Sequence, residues 1–475
     1  MKKKRNLRWK LNGNRGDRPE SSAGWRREFH MIWLLAVPTV IEQFLMTVVQ
    51  YADTAMVGQL GAEASAAVGV TSTMMWLTNA PLNAIGIAVL AVIARHYGAG
   101  RKDLARNAAE QAVLLVGIAG VLEGILMTGL SPLIPVWLGA DPSIQRNAFL
   151  YYCIVSIPMV FRASIIILGA AIRALKDTRG PMLVNVMMNI LNLVLNFLLI
   201  YPFRTVKLAG ISLILPGAGL GVAGAALATA ISYAAGGIMM FVLFYRKKDF
   251  SICFRKIRYH RSVMRNCVGI AIPVAMERIC VCLGHVVFTG QVTGFGTIAL
   301  AAHSIALTAE QAFYIPGYGM QAAVSTLIGN ALGERNEAKL KHISRISIAI
   351  AVAVMAVTGA ALFWKAEFMM RLFTQDKAVI AAGEQVLRMV AVSEPIYGAV
   401  IILEGIYNGA GYTKTPLWIS LFSMWGIRIC GTWICLRLFG GGLKTAWLCM
   451  IADNVSRCIL SVFVYFRGKW KQMEH

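Results

Sequence analysis

The chain is short of charge, and shorter still of acid. Only 15% of its 475 residues are charged, against about 25% in average chains, and the 46 basic residues outnumber the 23 acidic ones. With 57% hydrophobic residues and a mean hydropathy of +0.62, a water-soluble domain is excluded. No GxxxxGK[ST] phosphate loop is present, which argues against ATP as an energy source. No polar loop is long enough for a soluble catalytic or nucleotide-binding domain. The nine cysteines supply no CxxC pair: Cys280 and Cys282 stand two apart, and nearly all nine sit in apolar stretches, where they read as small core residues. No small-residue cleavage site follows the basic start, and the apolar stretch behind it is too long for a signal peptide.

What the chain does have is long apolar runs. Twelve are found, at about 31–57, 66–94, 108–130, 147–171, 182–202, 220–245, 265–292, 298–330, 344–364, 379–408, 415–437 and 443–466. Each is near the roughly 20 residues that a helix needs to cross a bilayer. A barrel would show alternating segments of about ten residues instead, and backbone groups in lipid must satisfy one another, so the runs are expected to be helices. The fold class is therefore an all-α polytopic membrane protein of twelve transmembrane helices.

The basic residues test that count. With the N-terminus inside, the inner segments hold 33 Lys and Arg, ten of them in residues 1–30, and the outer loops hold eight. Such a bias places both termini in the cytoplasm. The net charge of +23 is thus a record of topology and not a nucleic-acid surface. The expected organisation is a basic cytosolic tail (1–30), an N-lobe of six spans (31–245), a cytosolic loop (246–264), a C-lobe of six spans (265–466) and a short cytosolic C-terminal tail (467–475). The tail has the charge to touch anionic lipid.

The division into lobes rests on an internal repeat. The stretch 36–61, AVPTVIEQFLMTVVQYADTAMVGQLG, recurs 235 residues later. Ala36, Pro38, Glu42, Val57 and Gly61 fall on Ala271, Pro273, Glu277, Val292 and Gly296. The same offset, without a gap, carries Pro81, Ala88, Val89, Ile93 and Gly98 onto Pro316, Ala323, Val324, Ile328 and Gly333. Six spans per copy is an even number, so the two lobes share one orientation about an axis along the membrane normal. Parallel repeats of this kind typify alternating-access transporters, with the substrate site at their interface.

The candidate residues are the polar groups at membrane depth, where a charge costs roughly 2.5–3.5 kcal/mol on insertion scales. Asp53 sits near the outer end of the first span among Val, Ala and Met, surroundings that suit a proton-carrying carboxyl group. Its repeat mate is Phe288, so the two copies are not functionally equivalent. Asn185, Asn189, Asn192 and Asn196 are spaced 4, 3 and 4, and form one polar stripe on the fifth span. The stripe suits a cavity wall next to Asp53, or amide contacts between helices. Glu42 and Glu277 each follow a proline by one turn, where a freed carbonyl and a carboxylate could bind a cation, or Glu277 could pair with Arg278. Glu310 and Glu394 add two more acids in the C-lobe. Glu404 reads as structural, as do Arg162, Arg388 and Arg457, and His303 reads as a core histidine before a cavity ligand.

At these residues the chain resembles the multidrug and toxic compound extrusion (MATE) family of secondary transporters, of the bacterial or archaeal type. The matching pieces include YADTAMVGQLGA (51–62), ALKDTRGP (174–181), NFLLIYP (196–202), GLGVAGAALATAIS (219–232), PVAMERI (273–279), GTIALAAHSIA (296–306), IPGYGMQAAVSTLIGNALG (315–333) and EPIYGAVIILEGIYNGAGYTKTP (394–416). The likeness covers residues 30–466. It implies two pseudo-symmetric six-helix lobes around a central cavity. The implied activity is export of organic, often cationic and amphipathic, compounds in exchange for H⁺ or Na⁺. It also implies a plasma-membrane location, work as a monomer, no cofactor, and no metal beyond Na⁺ at the coupling acids. Asp53 matches the family's first-helix aspartate, and Asn192 the nearby fifth-helix asparagine. Asn196 falls where many members carry a second aspartate, so the chain departs from the pattern there. Asp53, Glu277 and Glu394 are thus the expected coupling acids. Glu42, Asn185, Asn189, Asn192, Asn196, Glu310 and His303 are the expected cavity residues. A lipid-linked saccharide flippase and a membrane-embedded enzyme are the competing readings; the first needs a strongly cationic cavity and the second a sizeable loop.

Overall fold

The computed structural model describes residues 22–208, 211–250 and 257–471. The first 21 residues of the basic tail, 251–256 of the loop between the halves (with Cys253), and 472–475 lie outside the described residues. Helix α1 (Ser22–Gly58) begins inside the stretch assigned to the tail. The rest of the N-lobe is α2 (Ala62–Gly98), α3 (Lys102–Leu130), the short α4 (Ile134–Trp137), α5 (Pro142–Ser156), α6 (Met159–Ala163), α7 (Gly169–Ala174), α8 (Arg179–Leu199) and α9 (Gly221–Tyr245). The C-lobe is α10 (Arg261–Thr293), α11 (Thr297–Gln311), α12 (Ile315–Gly333), α13 (Glu337–Arg371), α14 (Lys377–Ala410), α15 (Lys414–Leu421), α16 (Gly431–Phe439) and α17 (Leu443–Arg467). Ten helices are long and apolar enough to cross a bilayer, and two bent pairs complete twelve spans. At 37 residues each, α1 and α2 are roughly 55 Å long, so they outreach a hydrocarbon core of about 30 Å.

A few helices start at a side-chain cap. Asp141 accepts a hydrogen bond from the Ser143 amide (2.9 Å) just before Pro142, and Asp376 accepts from the amides of Ala378 (2.8 Å) and Val379 (3.3 Å). Each satisfies donors that the first helical turn leaves free. Helix α14 stops at Gly411, whose φ of 72° is left-handed and suits a residue without a side chain.

Two spans are broken. The fourth bends by 58° between α5 and α6, where Pro158 precedes the new helix, and the eighth bends by 47° between α11 and α12, at Pro316. A proline lacks the amide hydrogen and clashes with the preceding turn. Yet Pro81, the repeat mate of Pro316, sits inside the unbroken α2, as Pro38 and Pro273 sit inside α1 and α10. Segments Ser164–Leu168 and Phe422–Cys430 are π-helical insertions in the fourth and eleventh spans. The one departure from an all-helical chain among the described residues is an antiparallel hairpin between spans five and six. In it β1 (Pro202–Leu208) pairs with β2 (Ile211–Ala218), with Thr205 opposite Ile214.

The two lobes meet at the repeat axis. Helix α1 packs on α12, and its mate α10 packs on α2, while α2 and α12 lie against each other. There the mates Gly98 and Gly333 make reciprocal close approaches. A Cβ on Gly98 would come within 2.1 Å of the Asn330 carbonyl oxygen, and one on Gly333 within 2.0 Å of that of Arg95. Only glycine lets the backbones come this close. Beside this crossing the buried Asn330 amide donates to the Ala174 carbonyl (3.0 Å), and Lys176 pairs with Glu334 (3.5 Å), so the N-lobe and C-lobe are tied at this end.

Candidate functional site

In the N-lobe the first and fifth spans, α1 and α8, lie side by side. Asp53 is half-buried, and its Oδ1 accepts from the Asn196 amide at 2.5 Å. The Asn192 amide lies 3.1 Å from both Asp53 oxygens, the separation of a nitrogen donating to each, and on its other side meets Thr229 Oγ1 at 3.3 Å. One carboxylate is thus held by two amides in a site walled by α1, α8 and α9. Two neutral donors leave the negative charge uncompensated, so the pair of oxygens can still take a cation or a proton.

The rest of the asparagine stripe does other work. Asn185 donates to Glu42 Oε1 at 2.7 Å, and the same oxygen accepts from Arg173 at 2.7 Å. Glu42 is buried, and this ion pair answers most of its charge, with Oε2 left buried and unpartnered. Arg173, counted from the sequence among the inner-loop cations, lies in the last turn of α7 and is drawn into the lobe by Glu42. Asn189 stands half-buried between the two amide pairs.

The C-lobe is built differently. At the position of Asp53 stands Phe288, buried, with the Arg428 guanidinium 5.7 Å from its ring centre and His303 edge-on at 5.5 Å. Arg428 pairs with Asp453 (2.7 Å), which also binds Arg457 (2.8 Å), so a wholly buried aspartate carries two guanidiniums. His303 is fully buried, accepts from Trp447 Nε1 (3.2 Å), and keeps Nε2 without a partner. Glu277 accepts from the Ser420 hydroxyl at 2.7 Å and holds Oε2 buried and unpartnered. Arg278 turns to Glu404 (2.9 Å) rather than to Glu277.

Glu394 is isolated: it is 1% exposed, and among the described residues neither of its oxygens has a hydrogen-bond partner. It lies within electrostatic range of Glu310, itself buried and within range of Arg428. Tyr314 and Tyr397 stand edge-to-face at 5.6 Å beside these acids, and the Tyr397 and Tyr318 hydroxyls meet at 2.9 Å. Two acids and tyrosine faces are the elements that attract an organic cation.

Several of these partners escape the sequence. Arg173, Asp453 and the tyrosine group carry no local signal, because their meaning depends on which helices touch. Ser420 could have been found, since it is the repeat mate of Asn185 and faces Glu277 as Asn185 faces Glu42.

The comparisons with known proteins agree with this plan. The MatE family profile matches residues 38–198 and again 273–434, two matches that begin 235 residues apart, on Pro38 and Pro273. The chain is 26% identical to "Probable multidrug resistance protein NorM" of Thermotoga maritima over 444 residues, covering 92% of each. It is 25% identical to "Uncharacterized transporter YisQ" of Bacillus subtilis, covering 91% of this chain and 92% of that one. Among solved structures, a MOP superfamily transporter from Pyrococcus furiosus superposes with a TM-score of 0.86 at 21% identity, covering 94% of this chain and 97% of that one. A crystal structure of MATE in complex with MaL6 gives 0.84 at 22% identity, covering 93% and 96%. Two tandem family matches spanning most of the chain, on a fold of twelve helices in two lobes, place it: the chain belongs to the MatE family, and it is a multi-pass membrane transporter and not an enzyme.

Proposed function

We propose that the protein is a secondary antiporter of the plasma membrane, with both termini cytoplasmic, that exports cationic amphipathic compounds in exchange for inward H⁺ or Na⁺. The observation that carries this reading is Asp53: a half-buried carboxylate held by two amides and, among the described residues, by no fixed cation. Most other deep acids have a basic or hydroxyl partner, as Glu42, Asp453, Glu404 and Glu277 do. A carboxylate without a resident cation is free to exchange one.

The mechanism is competition. A cationic substrate and the coupling ion each stabilise a different arrangement of the lobes, and differential binding moves the equilibrium between them. Glu310 and Glu394, with Tyr314 and Tyr397 beside them, give the C-lobe a second place where a cation is attracted, and Glu277 on α10 is the further C-lobe acid proposed to take part in coupling. The names of relatives such as the Thermotoga maritima protein support drugs as cargo. A flippase would need free cations for a pyrophosphate, whereas Arg278, Arg428 and Arg457 are each paired with an acid. The transporter is proposed to act as a monomer.

The test is uptake of a fluorescent cationic dye by proteoliposomes with H⁺ and Na⁺ gradients imposed separately, for wild type, Asp53→Asn and Glu277→Gln. Movement driven by one gradient and abolished in Asp53→Asn supports the reading and names the ion. Undiminished transport by a folded Asp53→Asn protein defeats it.

A further inference from the structure

Glu123 is an N-lobe acid that the scheme above leaves unused. It lies on α3, 7% exposed, on a helix whose flanking residues Leu122 and Ile125 face outward, and its Oε1 is buried without a hydrogen-bond partner. A buried carboxylate ordinarily collects donors. The nearest cation is committed elsewhere. Arg162 of α6 donates Nε to Asn79 Oδ1 of α2 (3.2 Å) and lays its guanidinium over the Tyr233 ring of α9 at 4.6 Å, acting on Glu123 only through space. From α5 comes Tyr152, whose hydroxyl bonds Thr78 of α2 at 2.7 Å and Met127 of α3 at 3.2 Å, within electrostatic range of Glu123. From the π-helical segment comes Ser164, which donates to the Gly237 carbonyl. Helix α10 begins beside Glu110, at the other end of α3.

This cluster is joined to the Asp53 site. Tyr151 adjoins Tyr152 in α5, faces Thr229, and lies within electrostatic range of both Asp53 and Tyr233. Asn192, Thr229, Tyr151, Tyr233 and Arg162 thus lead from Asp53 to Glu123 through one amide, three hydroxyl-bearing side chains and one guanidinium. A metal ion is a poor occupant at Glu123, because it needs several oxygens and Arg162 repels it. A proton needs a single lone pair and leaves a neutral acid beside the guanidinium.

We propose that Glu123 is a second proton-exchanging carboxylate of the N-lobe, working with Asp53. As the carboxylate it takes a proton from the outer water, and as the neutral acid it gives that proton up once the lobes have rearranged, returning to the carboxylate. This rests on the antiporter reading in its H⁺-coupled form and adds a second proton to it.

Dicyclohexylcarbodiimide, which enters lipid and reacts with protonated carboxyl groups, tests this on wild-type protein in lipid nanodiscs across a pH series, with adducts mapped by peptide mass spectrometry. Adducts are expected on both Asp53 and Glu123, falling as pH rises, with none on the doubly paired Asp453. The Glu123 adduct should persist in Asp53→Asn protein. In proteoliposomes, Glu123→Gln should move about half as many protons per dye molecule as wild type. Labelling of Asp53 with none on Glu123 at any pH overturns the proposal and leaves the antiporter intact, as does an unchanged proton-to-dye ratio in Glu123→Gln. Labelling of Glu123 at no pH, with no dye movement under either an H⁺ or a Na⁺ gradient, overturns both.

Discussion

Asn196 donates its amide to the Asp53 carboxylate at 2.5 Å, from 143 residues further along the chain. The same separation links Glu42 to Asn185 in the N-lobe and Glu277 to Ser420 in the C-lobe. The first and fifth spans of each half therefore run in one register, and carboxylates on the first face polar groups on the fifth. Only the rung at Asp53 lacks a counterpart in the other half, where Phe288 and Gly431 stand at the equivalent positions.

Two substitutions on α8 should separate what the rungs do. Asn196→Leu removes a hydrogen bond to a charged group, an interaction worth about 1.5–3 kcal/mol, so dye transport should fall roughly 10- to 100-fold with only a small drop in the melting temperature of so large a protein. Asn185→Leu touches an already ion-paired acid and should show in the melting temperature first. Equal transport by Asn196→Leu and wild type would refute the role of the upper rung.

Asp453 and Asp53 are both deep aspartates, and their replacement should differ in kind. Asp453→Asn leaves Arg428 and Arg457 buried without a counter-charge. Breaking such a group costs about 3–5 kcal/mol. Thermal unfolding in detergent should therefore drop sharply for Asp453→Asn and little for Asp53→Asn.

Gly98 and Gly333 have no room for a side chain, since a Cβ on either would lie 2.1 or 2.0 Å from the backbone of the opposite lobe. Gly98→Val should force α2 and α12 apart, at more than the roughly 1–3 kcal/mol of ordinary overpacking. A cysteine placed at Asn330 should then react faster with a water-soluble maleimide in the Gly98→Val background. Unchanged reactivity would show that the lobes do not seal there.

Asp177, in the turn between α7 and α8, gives a pH-dependent element outside the spans. Burial pushes its carboxyl up, but the Lys247 ammonium and the Gly180 amide outweigh that and hold it below the usual 3.8. A depressed folded value contributes stability that is present above the unfolded value and lost as pH falls through the folded one. Asp177→Asn should therefore lower the melting temperature at neutral pH, with the gap to wild type closing in strong acid.

The sequence by itself determined the number of spans, the two lobes and their 235-residue offset. Backbone in lipid has few solutions, so apolar length and loop charge dictate the plan almost alone. It also singled out Asp53 and the asparagines, because a polar group at membrane depth is costly enough to stand out. Only the tertiary structure decided which of these groups meet. The four asparagines share one face in sequence, yet two hold the free carboxylate and one joins an ion pair. Pro81 and Pro316 are repeat mates, yet one helix runs through and the other bends by 47°. Whether an acid is answered by an arginine, as Glu42 and Asp453 are, or left open, as Asp53 and Glu394 are, depends on neighbours up to 143 residues away in the chain. Periodicity reports the face a residue lies on, and packing alone supplies the partner across from it.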